Sequence, residues 1–389
     1  MTSLRLVRRH LFKHKVRSLL TIASLVVALF LLCVLRSLVF SLDAGIRGAK
    51  RDRLVVQSAV SLFTSLPLNY QPKMAQVAGV ENTCKFHWFG GYYKDASNWF
   101  AQFAVDPPAL FDMYPEIRIV DGSKEDFLAD RQGCVIGKML TQRFGFKVGD
   151  VIPLIGVIYP AEPGQNWEFR VRAIYEPATP ALDPSTLFFH WDYFQRTLEA
   201  QKYGLPADVA TYSIKTAPGA DQVAIARAVE EQFAQGPQRV NCTSEAEFNA
   251  QFLTMLGSVP LFISAIGGGV LVAILFACVN TMLMAFREQT HDVGILKALG
   301  FTDGRVGFLL LVQSLLLCGT GGLLGIGLAK LTQPTLLDFL GSMFPGYEVT
   351  PAIMGMAAAT TLAVGLVAGI APYLSARRLA CVAALRSVE

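Results

Sequence analysis

The chain has 389 residues, 52% of them hydrophobic and only 16% charged, with a mean hydropathy of +0.41. That balance argues against an ordinary soluble protein and fits one that lies partly in lipid. The net charge of +4 gives no broad basic field, and no nucleic-acid motif accompanies it, so nucleic acid is excluded as a partner.

In chain order, residues 1–18 form a basic, amphipathic segment with Arg5, Arg8, Arg9, Lys13, Lys15 and Arg17. Residues 19–40, "LLTIASLVVALFLLCVLRSLVF", are long enough to span a bilayer. Arg36 sits near one end, where it can snorkel. The run is too long for a signal peptide and no small-residue cleavage site follows, so it reads as a retained anchor. Residues 41–258 form one large polar region. Three further apolar spans follow at 259–286, 306–329 and 352–374, separated by a loop at 287–305 and a short loop at 330–351, and a tail occupies 375–389. Arg287, Lys297 and Arg305, then Arg377, Arg378 and Arg386, fall on the same side as the basic start. That side is the cytoplasm by the positive-inside rule, which puts 41–258 outside. Arg47, Lys50, Arg51 and Arg53 follow the first span on the outer side and conflict with this orientation.

The expected fold is thus four membrane helices plus a mixed α/β extracytoplasmic domain of two small lobes. "CVIGKMLTQRFGFKVGDVIPLIGVIYP" reads as strand, helix, glycine turn, strand, and "WEFRVRAIYEP" and "ATYSIKT" alternate as strands. "ADQVAIARAVEEQFAQ" reads as an amphipathic helix with Ala226, Val229 and Phe233 on one face. Cys84, Cys134 and Cys242 lie in this region, where one disulfide among them is open; no metal-ligand spacing occurs. No phosphate loop, nucleophile elbow or zinc-protease motif is present, and the scattered carboxylates read as solvated surface groups. The chain is expected to be a non-catalytic subunit that binds no metal or cofactor.

Ser244 and Glu247 have capping-box spacing. A helix running from there through Phe252 and Pro260 to Phe286 would be about 43 residues, or roughly 60 Å, against a hydrocarbon core of about 30 Å. The excess predicts a stalk beneath the outer domain, with Pro260 as a candidate kink. Gly321 with Gly325, and Gly365 with Gly369, are G-x-x-x-G pairs expected to pack spans three and four together. The glycine triplet 267–269 is a candidate for close approach to a partner protomer or for a flexible point.

The loop "REQTHDVGILKALGFTDGR" carries the most specific signal. Val293, Leu296 and Leu299, with Ile295 nearby, predict a short helix lying against the membrane, and Gly300 and Gly304 allow a tight return. The stretch resembles the signature R-x-x-E-[IV]-G-[IV]-L-[KR]-A-[LI]-G of the MacB/FtsX-type (type VII, mechanotransmission) ABC transporter permeases, similar to DevC, LolC and LolE and the membrane part of MacB. Gly294, Ile295, Leu296, Lys297, Ala298, Leu299 and Gly300 match, and Asp292 stands where the family has Glu. "VQSLLLCGTGGLLGIGLA" resembles a second motif, with Gln313 for Glu. "APYLSARRLACVAALRSVE" resembles a third: Pro372, Ala376, Arg378, Ala384, Leu385 and Arg386 fit, and Cys381 replaces Pro.

The resemblance implies a permease that pairs with two copies of a cytosolic ATP-binding subunit and with a second permease protomer, in the bacterial inner membrane. It makes Arg287, Glu288, Asp292 and the matched residues 294–300 the element that docks on the ATPase, which alone holds ATP and Mg. Only about 18 residues precede the first span, so the ATPase is expected on a separate chain. Driving a tripartite efflux system, with a periplasmic adaptor and an outer-membrane protein, is the leading expectation. Extraction of lipoproteins or lipid with a lipoprotein chaperone, and regulation of an extracellular enzyme, remain open. The insert "GVIYPAEPGQNWEF", with Pro160, Pro163 and Trp167, reads first as a plain hairpin tip and second as a candidate partner loop.

Overall fold

The computed structural model describes residues 15–42, 44–162, 164–179, 182–200, 208–255, 257–340, 344 and 347–379. The basic segment 1–14, Pro163, Cys381 and the motif residues Ala384, Leu385 and Arg386 lie outside them. Among the described residues, four helices are long and apolar enough to cross a membrane. They are span one (Lys15–Leu42), span two (Val259–Glu288), span three (Asp303–Leu331) and span four (Pro351–Arg378). The chain divides into two compact units, one built on these spans and one on residues 41–257 with 337–346.

Within the membrane unit, close helix approach is set by small residues, as lipid offers no hydrophobic drive between helices. Gly365 and Gly369 do lie on span three: an added Cβ would meet Cys318 and Leu315, or Ser314 and Leu311, at 3.1–3.4 Å. Ser314 Oγ also donates to Gly365 O at 2.8 Å. Gly321 and Gly325, expected against span four, instead face span one. A Cβ there would strike Leu25 Cβ at 2.6 Å and Val26 O at 2.7 Å. The neighbouring Gly322 takes the span-four contact, against Thr361. Span three packs on both span one and span four and carries a small-residue stripe for each; one residue along the helix turns about 100° and so changes the partner. Of the triplet, Gly267 faces Leu35 of span one, while Gly268 and Gly269 have open space in front of them.

The second unit is α/β. Its strands are β1 (Arg53–Ser58), β2 (Val80–Trp88), β3 (Gly91–Tyr92), β4 (Gln102–Val105), β5 (Ile117–Gly122), β6 (Gly133–Gly137), β7 (Val151–Gly156), β8 (Trp167–Pro177), β9 (Leu187–His190), β10 (Thr211–Thr216) and β11 (Val240–Ser244). They hydrogen-bond in the order β11-β1-β10-β2-β4-β9-β6-β8-β7-β3, with β5 on β8. β4 pairs with β9 in parallel, within one continuous strand order. Alternation sorts the core: Leu187 and Phe189 enter one cluster and Phe188, between them, the other. The helix at Lys138–Phe144 ends on Gly145 at φ +76°, a left-handed cap that turns the chain toward β7. The helix at Gln222–Gln232 buries Ile225 and Val229 and starts on Asp221, whose carboxylate accepts from Val223 N and Ala224 N.

The capping box forms. Glu247 N donates to Ser244 Oγ (3.2 Å) and Ser244 N to Glu247 Oε2 (3.1 Å), opening the helix Glu245–Met255, the candidate stalk helix, which includes Phe252. The helix does not continue into span two. Gly257 is left-handed at φ +63° and Ser258 begins a new helix. Pro260 is in the first turn of that helix and marks its start rather than a kink, since proline there loses no helical hydrogen bond.

Candidate coupling elements

The loop after span two folds as a helix, Thr290–Ala298, the candidate coupling helix. Arg287 and Glu288 are the exposed last residues of span two. Val293 and Gly294 are buried, and Val293 packs with Phe286, Val306, Leu310 and Ala376, joined by Leu296. Leu299 does not share this face. Three residues past Leu296 and six past Val293 it is rotated by about 120° from Val293, and the helix has ended at Ala298. Ile295 (40%), Leu299 (72%) and Phe301 (37%) instead form an exposed apolar patch. Asp292 is half-buried and Ala298 exposed. Gly300, at φ +88°, turns the chain toward span three.

Lys297 points inward. Its Nζ donates to Ala376 O and Leu379 O, each at 2.7 Å, and pairs with Asp303 at 2.8 Å. It therefore caps the carbonyl end of span four, where a cation is favoured by the helix dipole. One side chain ties the coupling helix, the start of span three and the end of span four.

Within the α/β unit, sequence reading missed a second junction. Arg53 is almost fully buried and pairs with Glu116 (3.1 Å) and Glu245 (2.8 Å), donates to Met113 O (3.0 Å) and lies 4.3 Å from the centre of the Tyr114 ring. Lys50 N donates to the same Glu245 carboxylate at 2.9 Å. Burial lowers the Arg53 pKa, but Glu245, Tyr114 and Glu116 outweigh it and hold the guanidinium charged. The cluster joins β1, which follows span one, to the first residue of the stalk helix, which precedes span two. It also accounts for one of the charges that conflict with the orientation rule, since Arg53 is neutralised within the domain; the half-exposed Lys50 Nζ lies 3.8 Å from Glu116.

The insert between β7 and β8 is a hairpin whose strands pair Val151 with Arg170 and Leu154 with Trp167. Pro160 is exposed. Trp167 is 1% exposed and donates Nε1–H to Tyr159 O at 2.9 Å, so it belongs to the core rather than to a partner surface. Cys84, Cys134 and Cys242 are buried free thiols, not a disulfide. Burial raises all three, Cys242 up to about 12, which leaves them unreactive.

Residues 18–232, more than half of the chain, match the family model of the MacB-like periplasmic core domain, and residues 252–380 match that of the FtsX-like permease C-terminal region. The chain belongs to the MacB/FtsX-type ABC transporter permeases. The permease is 37% identical over 144 residues to the pyoverdine export ATP-binding/permease protein PvdT of Pseudomonas aeruginosa, covering 37% of this chain and 20% of that one. It is 34% identical over 135 residues to the macrolide export protein MacB of Sodalis glossinidius (35% and 19%), and 27% identical over 233 residues to MacB of Psychrobacter cryohalolentis (60% and 32%). The matched segments thus span a fifth to a third of these relatives' own lengths. Among solved structures, the periplasmic region of MacB from Actinobacillus actinomycetemcomitans aligns with 53% of this chain and 95% of that one, at 9% identity and TM-score 0.39. The permease is a multi-pass inner-membrane protein with its α/β domain in the periplasm.

Proposed function

We propose that the permease converts ATP binding and hydrolysis by a separate cytosolic ATPase into movement of its periplasmic domain, and so drives export as part of a tripartite efflux system. The observation that carries this reading is the exposed patch of Ile295, Leu299 and Phe301, on and just past the end of a helix whose other face is locked to spans three and four. Such a patch at a membrane protein's cytoplasmic end gains by being covered by a partner. Arg287, Glu288 and Asp292 supply polar contacts at its edge. Lys297 acts from behind, passing the coupling helix's motion to span four. ATP and Mg are held by the ATPase and no cofactor by this chain, which acts non-catalytically as one of two protomers, with two ATPase copies. On the outer side, the Arg53 cluster makes the two chain segments adjoining spans one and two move with the sheet.

Export is favoured over lipoprotein or lipid extraction by two observations. The relatives that match at 34–37% identity are named for macrolide and pyoverdine export. The β7–β8 hairpin keeps its Trp167 in the core, so that ring is not offered to a chaperone. Co-expression with a neighbouring ATPase, adaptor and outer-membrane duct tests the reading. Substrate efflux that requires all four and falls with Leu299→Asp supports it. Lipoprotein release without any adaptor replaces it with extraction.

A further inference from the structure

One face of the periplasmic sheet is only partly covered. The helix Pro107–Met113 packs Leu110 and Met113 over one end of it. Beyond that helix, register places Trp88 opposite Phe103 and Phe103 opposite Phe188 on the same face. The rings of Trp88 and Phe103 lie 5.3 Å apart edge-on, those of Phe103 and Phe188 6.3 Å apart and stacked. With Phe86 they floor a cavity of about 720 Å³ whose walls include Tyr114, Leu182 and Asp183. That volume, and an apolar lining with few polar groups, are those of a small-molecule site.

Two carboxylates reach the cavity, and they differ. Glu245 is already paired with Arg53. Asp183 has no cation beside it among the described residues; its Oδ1 accepts from Ser185 N (2.8 Å) and Ser185 Oγ (2.5 Å). Burial raises its pKa, the mark of a carboxylate short of a counter-charge. His87, in the same wall, offers none: its Nδ1 accepts from Ala210 N, and burial holds the imidazole neutral with a pKa of about 4. Aromatic faces attract organic cations, and more strongly where water is displaced.

We propose that this cavity binds an organic cation with an apolar body, the body lying on Phe86, Trp88, Phe103 and Phe188 and the positive group at Asp183. The site is complete within one periplasmic domain, so the proposal stands whether or not the transport reading does.

The test uses the full chain in lipid nanodiscs, with empty nanodiscs as the baseline. Rhodamine 6G serves as the cationic probe and 8-anilinonaphthalene-1-sulfonate as an anion of similar apolar character. Saturable rhodamine binding is expected by fluorescence anisotropy. Asp183→Asn, which keeps an acceptor for Ser185, should weaken it about ten-fold, as loss of a desolvated ion pair implies, without affecting the sulfonate. Ala101→Trp should fill the cavity and abolish binding, and Phe103→Leu provides a milder variant should that one fail to fold. No saturable binding, equal binding of cation and anion, or indifference to Asp183→Asn overturns the proposal. So does mass photometry in which Ala101→Trp separates paired protomers and no dye binds, since the face would then belong to a second copy.

Discussion

Arg53 shows how far one residue can be misread from sequence. In a run with Arg47, Lys50 and Arg51 it looks like juxtamembrane charge; folded, it is the buried centre of an ion cluster. Its partners are 63 and 192 residues away, and no local pattern announces such a pairing. Arg53→Met should cost about 3–5 kcal/mol, because two carboxylates are left without their counter-ion. The loss should be partly recovered in the triple variant with Glu116→Gln and Glu245→Gln, as read by thermal unfolding. His87 yields a pH prediction. Its unfolded pKa is 6.5 and its folded value about 4, so the unfolded chain binds the proton more readily. Stability is therefore full above pH 6.5 and falls as pH drops toward 4, by about 3 kcal/mol. His190, also lowered by burial, acts in the same direction. Denaturant melts across this window should show the slope, and His87→Gln should flatten it; an unchanged slope would remove His87 as its source.

At the scale of elements, the four spans and most strands were legible because their apolar periods are long or strictly alternating. Two features were not. The coupling helix was expected to bury Leu299, but the real inward face runs through Val293, Gly294 and Leu296, with Lys297 hydrogen-bonded behind it. Helix partners across 79 residues decide that face. The uninterrupted stalk also failed: composition from Glu245 to Pro260 is helix-compatible, yet Gly257 takes a left-handed conformation that only backbone geometry reveals. A Cβ at Gly257 would meet nothing within 4 Å, so Gly257→Ala tests conformation alone. It should destabilise the joint by about 1 kcal/mol and shift backbone amide exchange around residues 255–259. Unaltered exchange and full efflux would mean the joint carries no strain. In the membrane, Gly325→Leu should block the approach of span one to span three and abolish folded protein. Gly268→Leu, facing open space, should be tolerated within one protomer, and any defect it causes should appear in protomer pairing measured by cross-linking.

For the whole molecule, the account requires the α/β domain and the coupling helix to lie on opposite sides of the membrane. In a background without reactive native thiols, Asn166→Cys and Asp208→Cys should label with an impermeant maleimide in intact spheroplasts, and Thr302→Cys should not. The central claim is that an ATPase seats on the outward face of the coupling helix. It is tested most directly by photocross-linking from a benzoylphenylalanine at position 299, with position 157 on the β7–β8 hairpin as control. An adduct with the ATPase is expected from position 299, lost when Ile295→Asp is added, and none from position 157. An active, ATP-hydrolysing complex that gives no adduct from position 299 would contradict it.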